Sequence, residues 1–274
     1  MRIAITGGSG GVGRAVTRAA VEAGHTVLSL DRAEPKPEAI VAGVEYRVLD
    51  LADYDGLVAA LHGWEALIHL AAIPNPRTFP DHVTHNNNVV TSYNALRGAI
   101  EVGIKRICQA SSINAIGGAY SRQARYDYLP VDEQHPTYAE DPYSLSKWIC
   151  EQQADSLTRR YEDVTIASLR FHWVVPDREL PVSMQAKIGR PVAMHLWGYT
   201  LFSSAAEACL RSITVDFSGH EVFYIVERET AMTIPTAELL TEFWPNIPIR
   251  GDVSGQRSLF DCSKAERLLG WRSR

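Results

Sequence analysis

The sequence predicts an open α/β fold, a parallel sheet covered on both faces by helices. Short, almost wholly apolar runs rich in β-branched residues alternate with stretches of helical period. Strands buried on both faces and joined by helical crossovers read this way. A glycine-rich turn joins the first run to the first helical stretch, and an acid closes the second run. Strands are expected over 2–6, 26–30, 45–49, 66–70, 106–110 and 165–170. Between the first two, Val12, Ala15, Val16, Ala19, Ala20 and Ala23 form a stripe of helical spacing, and Gly24 ends it as a C-cap. A second helix opens at Asp53, an N-capping residue type, with Tyr54, Leu57, Val58 and Leu61 on one face. A third is expected over 87–101, started by Asn86-Asn87-Asn88, and a fourth over 143–160. Residues 176–200, with Pro181, Gly189, Pro191 and Gly198, read as irregular loop with short elements. A helix over 205–213, a strand over 221–226, a helix after Pro235 and a last helix over 263–269 follow.

The 274 residues include 27 Lys+Arg against 32 Asp+Glu, a net charge of −5. A hydrophobic share of 46% with 22% charged residues rules out a disordered or collagen-like chain. The acidic balance argues against a nucleic-acid surface, which needs clustered Lys and Arg. Cys108, Cys150, Cys209 and Cys262 show no C-x-x-C spacing, so neither a metal site nor a disulfide framework is expected. No apolar run approaches the ~20 residues that span a bilayer. No signal segment is read at the start, where Met1 to Thr6 run straight into the first strand. A cytoplasmic protein with no membrane partner is the expectation.

Thr6-Gly7-Gly8-Ser9-Gly10-Gly11-Val12-Gly13 lies between the first strand and the first helix. Gly7 allows the tight turn, Gly10 lets backbone approach a pyrophosphate, and Gly13 lets the helix pack close to the strand. With Gly11 and Val12, the opening helix offers free N–H groups and a positive dipole end to an anion. Asp31 comes 18 residues after Gly13, at the end of the second strand, where a carboxylate accepts from an adenosine ribose and repels a 2′-phosphate. Arg32 beside it could accommodate that phosphate, so NAD is favoured and NADP is the second choice. Asp50-Leu51 lies beside the adenine or simply caps a helix.

Tyr143-Ser144-Leu145-Ser146-Lys147 places a phenol and an ammonium on one helix face. A neighbouring cation favours the phenolate, which makes Tyr143 a usable acid or base. Ser111-Ser112 ends the fifth strand, where open α/β sheets bind ligands, and a hydroxyl there can bond the oxygen that gains or loses a proton.

Glycine turn, acid, serine pair and Tyr-x-x-x-Lys, in this order, resemble the extended short-chain dehydrogenase/reductase family of NAD-dependent epimerases, dehydratases and dehydrogenases. The resemblance extends to His69-Leu70-Ala71-Ala72, Asn88-Val89-Val90-Thr91-Ser92, Ser111-Ser112 with Gly117, Leu169-Arg170, and Asp261-x-Ser263-Lys264-Ala265 with Leu269-Gly270-Trp271. It implies a Rossmann-type doubly wound sheet of order 3-2-1-4-5-6 with one added strand. Residues 1–172 would bind the dinucleotide, and 173–274 would form a small substrate region interleaved with the sheet. It further implies Tyr143 as acid/base, Lys147 lowering its pKa and holding the nicotinamide ribose, and Ser112 positioning the substrate oxygen. Leu70, Ala71, Ala72, Asn88, Ser111, Phe171 and His172 would line the cofactor. By analogy the chain would pair as a homodimer through the helices carrying Asn88 and Tyr143.

Trp173 stands where nucleotide-sugar relatives carry a small Asn near the diphosphate, and Leu201-Phe202-Ser203-Ser204 stands where many carry an Asp. The run from Ser112 to Gly117 is similar to that of uronate dehydrogenases, with Ala115 in place of their His. In that reading Asn114 contacts a sugar and Arg178 clamps its carboxylate. Arg178 otherwise reads as a loop-surface residue, and Asn75 faces the pocket or turns the chain between Pro74 and Pro76. The expected activity is NAD-dependent hydride transfer on a small polar alcohol or free sugar, a uronate or aldose. The alternative is a nucleotide-sugar 4-epimerase or dehydratase with recycled NAD, for which Lys187, Arg190, Arg250 and Arg257 are the candidate diphosphate cations. A non-catalytic cofactor sensor is the third reading, against which the intact Tyr-x-x-x-Lys speaks.

Overall fold

The computed structural model describes residues 1–188 and 190–273, without the side chains of 185–192. The chain order is β1 Arg2–Thr6, α1 Gly11–Glu22, β2 Thr26–Asp31, β3 Glu45–Val48, α2 Tyr54–Leu61, β4 Ala66–His69, α3 Asp81–Glu101, β5 Arg106–Ser112 and α4 Pro142–Arg160. It continues with β6 Thr165–Phe171, β7 Val174–Val175, α5 Glu179–Ile188, β8 Thr200–Leu201, α6 Phe202–Thr214, β9 His220–Ile225, α7 Thr236–Phe243 and α8 Ser263–Leu269. Seven strands form one sheet in the order β3-β2-β1-β4-β5-β6-β9, and every pair in it is parallel.

The core follows from the alternation of side chains along each strand. On β4, Ala66 and Ile68 face one layer while Leu67 faces the other. The first layer buries Val16 and Ala20 of α1, Ala205 and Cys209 of α6, and Leu269 of α8. The second buries Leu57 and Leu61 of α2, Leu96 of α3 and Leu157 of α4. A third cluster joins Ile113, Leu129, Trp197, Leu239 and Phe260. There Leu129 and Val131 exchange backbone hydrogen bonds with Pro248, Arg250, Leu259 and Asp261, which ties the loop before α4 to the C-terminal segment.

Two helices differ from the sequence expectation. The third begins at Asp81, not at the asparagine run. Pro80 precedes it, and an acid in the first turn suits the positive end of the dipole. Residues 179–188 form a ten-residue helix within the stretch read as irregular loop with short elements. Pro181 falls in its first turn, where a missing N–H costs nothing. Gly189 lies outside the described residues. The N-cap expected at Asp53 is present, its carboxylate accepting from Gly56 N, and Asp141 caps α4 in the same way, accepting from Tyr143 N and Ser144 N.

Candidate active site

The carboxyl ends of β1, β2, β4, β5 and β6 open on one edge of the sheet. The strand order reverses direction between β1 and β4, the switch point where open α/β sheets hold ligands. Two cavities of about 270 and 490 Å³ lie along this edge and share Leu70 and Ala72. The smaller is lined by Gly7, Gly10, Asp31, Arg32, Asp50 and Leu51, among others. The larger holds Ser111, Ser112, Asn114, Tyr143, Lys147 and Phe171 among its walls.

The glycine turn is built to admit an anion. Gly7 has φ +70°, and a Cβ there would lie 2.7 Å from Ala71 N. A Cβ on Gly13 would lie 2.1 Å from Gly7 O and 2.6 Å from Gly8 Cα, so only glycine lets α1 start this close to the turn. Gly10 is the N-cap of α1 and supplies no side-chain cap, which leaves the first N–H groups of the helix without that partner. Among the described residues the Ser9 hydroxyl is buried with no hydrogen-bond partner. The Asp31 carboxylate accepts from Ser9 N at 3.1 Å and from Arg32 N at 2.8 Å. It is therefore fixed at the turn with lone pairs to spare for a ribose. An uncapped helix start, a Cβ-free cradle, an orphaned hydroxyl and a fixed carboxylate together fit a dinucleotide.

In the larger cavity, Tyr143 is 7% exposed and hydrogen-bonded to Ser112. Burial pushes its phenol above the ordinary tyrosine range, and the Ser112 bond opposes that rise only partly. Lys147 Nζ donates to Ala110 O at 2.7 Å and stands 6.0 Å from the Tyr143 ring centre. Burial pulls the ammonium below its usual pKa, with Cys150 and Glu151 acting in the opposite sense. In the protein alone the Tyr143 phenol is thus raised by burial, not acidified as expected from Lys147.

Behind the serine pair lies an ion pair that the sequence reading missed. Arg170 donates to Glu151 through Nε at 2.9 Å and Nη2 at 2.8 Å, and Ser111 Oγ donates to Glu151 at 2.6 Å. Glu151 follows Lys147 by one helical turn, so spacing alone could have placed it on the inner face. Ser111 therefore spends its hydroxyl on Glu151, while Ser112 keeps its own toward Tyr143 and Asn114.

His172, directly after β6, is held by the backbone on both ring nitrogens. Its Nε2 donates to His195 O at 2.9 Å and its Nδ1 accepts from Trp173 N at 2.6 Å. Burial holds its pKa down at about 3, so the ring is a neutral structural group. Trp173, 40% exposed, lines the same cavity.

Three expected site residues lie elsewhere. Asn88 lines neither cavity: its amide pins the Ile73 backbone and Ser146, fixing the segment after β4 onto α4. Its helix neighbours Asn87 and Thr91 face the smaller cavity instead. The Asn75 side chain closes a turn by accepting from Arg77 N and Thr78 Oγ1, leaving Pro74 and Arg77 at the cavity. Arg178 is committed to Glu229 at 2.8 Å and to Gln256 and Thr230, away from the site. Tyr120, in the loop after β5, and His195, at the end of a short 3-10 helix over Arg190–His195, also line the larger cavity, from segments with no periodic signal. Among the described residues no group of three or more metal-ligating side chains gathers, and no helix is long and apolar enough to cross a membrane.

A model of the NAD-dependent epimerase/dehydratase family matches residues 3–186. The dTDP-6-deoxy-L-talose 4-dehydrogenase (NAD(+)) of Aggregatibacter actinomycetemcomitans is 28% identical over 192 residues, 69% of this chain and 67% of that one. The L-arabinose 1-dehydrogenase (NAD(P)(+)) of Haloferax volcanii is 30% identical over 190 residues, 67% of this chain and 71% of that one. Among solved structures, a UDP-glucose 4-epimerase from Thermotoga maritima matches the fold with a TM-score of 0.73 at 20% identity, covering 100% of this chain and 94% of that one. By the match over residues 3–186, the chain belongs to the NAD-dependent epimerase/dehydratase family and is an NAD-dependent enzyme of the short-chain dehydrogenase/reductase superfamily.

Proposed function

We propose that the protein oxidises a hydroxyl of a small polar alcohol or free sugar, with Ser112, Tyr143 and Lys147 as its catalytic residues. The observation that carries this reading is the meeting of those three side chains in one cavity of about 490 Å³ whose described walls hold no diphosphate-binding cluster. Arg250 instead stacks on Tyr128 at 3.8 Å and Arg257 pairs with Asp252 at 2.8 Å, both at a separate cavity. The side chains of Lys187 and Arg190 lie outside the described residues. A sugar dehydrogenase among the relatives agrees with the reading.

NAD, when bound, supplies the hydride acceptor. The glycine turn from Gly7 to Gly13 would hold its pyrophosphate, Asp31 and Arg32 the adenosine ribose, and Asp50 and Leu51 the adenine. Leu70, Ala71 and Ala72 would form the floor, with Lys147, Phe171 and His172 at the nicotinamide end. Ser112 Oγ bonds the substrate oxygen and orients it on the Tyr143 phenol. In oxidation Tyr143 Oη takes the hydroxyl proton, and in reduction it returns one. Because burial raises the phenol pKa, the basic form grows with pH. Oxidation should therefore accelerate from neutral into alkaline solution, and reduction should slow.

The test is NADH formation with a panel of free uronates, aldoses and polyols. Tyr143→Phe should cut the rate by about 10²–10⁴ and leave NAD affinity nearly unchanged. Turnover equal to wild type would defeat the mechanism. Silence across the panel, with NAD already bound to the purified protein, would favour a nucleotide-sugar epimerase or dehydratase that recycles its cofactor.

The same reading takes a second copy of the chain as partner. Val90 and Tyr93 on α3 and Leu145 on α4 are exposed at 47%, 44% and 36% on adjacent helices. Light scattering should give twice the chain mass, and Tyr93→Glu should shift it to the monomer; a monomeric wild type would refute the pairing.

A further inference from the structure

We infer that Arg77 selects the substrate by charge: it holds a single carboxylate carried by the substrate away from the carbon that is oxidised. This deepens the dehydrogenase reading and rests on it. The residues lining the larger cavity include two cations, Arg77 and Lys147, and no Asp or Glu among the described residues. An anion entering it meets attraction without a competing carboxylate.

The two cations are not equivalent. Lys147 is buried and donates to Ala110 O. Arg77 forms no ion pair and no side-chain hydrogen bond among the described residues, so its N–H donors are open. It is nevertheless held in place. Its guanidinium stands 5.5 Å from the centre of the Tyr120 ring, and Tyr120 stands edge-on to Tyr143 at 5.8 Å and 85°. A guanidinium over an aromatic face keeps its N–H edge exposed. The ladder from Tyr143 through Tyr120 to Arg77 therefore sets a distance between the phenol that handles the proton and the cation that handles the charge. A substrate spanning it carries its hydroxyl at one end and its anion at the other.

The chemistry of the anion follows from the count of charges. One planar guanidinium matches the two oxygens of a carboxylate bidentately. Lys147 is turned to Ala110 O, and the other lining residues, Pro74, Ile113, Trp173 and Val174 among them, are apolar or neutral, which would leave the second charge of a phosphate without a partner of its own. The residue first expected to bind a carboxylate, Arg178, lies outside this cavity and has its two terminal nitrogens on Glu229, Gln256 and Thr230.

The experiment compares matched pairs, galacturonate with galactose and glucuronate with glucose, which differ by a carboxylate against a CH₂OH. Wild type should show a KM for the acid at least about tenfold below that for the neutral sugar. Arg77→Gln should remove that difference while leaving kcat and the constants for the neutral sugar in place. Arg77→Lys should restore part of it, since the charge returns without the planar fork. Calorimetric titration of galacturonate into NAD-loaded Tyr143→Phe protein, with and without Arg77→Gln, reads binding independently of turnover. Equal use of acid and neutral sugar, or an Arg77→Gln variant indistinguishable from wild type, overturns the inference and leaves the dehydrogenase reading standing. Galacturonate binding that depends on Arg77, with no NADH from any substrate, overturns the dehydrogenase reading and keeps the anion site. Tighter Arg77-dependent binding of galactose 6-phosphate than of galacturonate overturns the carboxylate assignment. Neither turnover nor Arg77-dependent binding overturns both.

Discussion

Replacing Gly13 by alanine should weaken NAD binding roughly a hundredfold, whereas the same change two residues earlier should not. A Cβ on Gly13 would sit 2.1 Å from Gly7 O, and reaching an ordinary contact of 3.4 Å needs 3.4 − 2.1 = 1.3 Å of movement. The atoms in the way are backbone, so no rotamer can relieve the overlap. Gly7 O is also the acceptor for Gly10 N at 3.1 Å, so a shift opens the turn itself. Moving the turn by more than about 1 Å takes its amides out of hydrogen-bond range of a phosphate. Losing two charged hydrogen bonds at about 1.5 kcal/mol each corresponds to roughly a hundredfold weaker Kd. Overpacking should cost a further 1–3 kcal/mol or so of stability. On Gly11 a Cβ would meet the Phe202 ring at 3.2 Å, a side chain that can yield by a few tenths of an ångström. Calorimetric NAD titration of both variants, with thermal melting alongside, separates the cases. Gly13→Ala binding NAD like wild type, or Gly11→Ala failing as badly, would refute this account of the turn.

Two further predictions concern the buried titratable groups. His69 Nδ1 bonds the Thr6 hydroxyl at 2.7 Å, and burial holds both His69 and His172 at pKa values of about 3. Their folded pKa lies below the ordinary 6.5, so the stability they carry is complete above 6.5 and lost as pH falls from there toward 3. Each costs about 1.4 kcal/mol per pH unit in that window. Urea midpoints should drop between pH 6.5 and 5, and less steeply in His172→Gln; midpoints flat across that range would contradict the neutral buried imidazoles. Glu151→Gln strands a buried Arg170 charge and should destabilise by about 3–5 kcal/mol. A melting point unchanged within error would show that the Glu151–Arg170 pair is dispensable.

What the sequence made legible is what local chemistry dictates. All six early strands, the N-cap at Asp53 and the glycine turn were readable because period, capping and steric need are written within a few residues. The meeting of Ser112, Tyr143 and Lys147 was readable for a related reason: strand ends in a parallel sheet share an edge, and four residues of helix share a face. The α3 start failed because three consecutive asparagines look like caps, while the true boundary lies at Pro80 and the carboxamide of Asn88 was needed to anchor Ile73. The loop residues failed for a deeper reason. Arg77 and Arg178 carry the same side chain, and nothing local separates them. Which one stays open is decided by partners far along the chain: Glu229 and Gln256 for Arg178, the Tyr120 ring for Arg77.

That difference explains why the family was legible and the substrate was not. On the proposed reading, cofactor recognition would use backbone amides, absent side chains and one strand-end acid, all set by elements whose geometry the sequence repeats locally. On the same reading, substrate recognition would fall to Pro74, Arg77, Tyr120, Trp173 and His195, which tertiary contacts bring to one cavity. The C-terminal segment contributes through the loop before α4, which it holds by backbone pairing at Leu129 and Val131. A change in that segment would act on the loop that runs from Tyr120 to α4, and leave the backbone of β5 that carries Ser112 in place. Specificity can then shift while Ser112, Tyr143 and Lys147 stay where β5 and α4 put them, so the identity of the substrate has to be read from the loops and tested there.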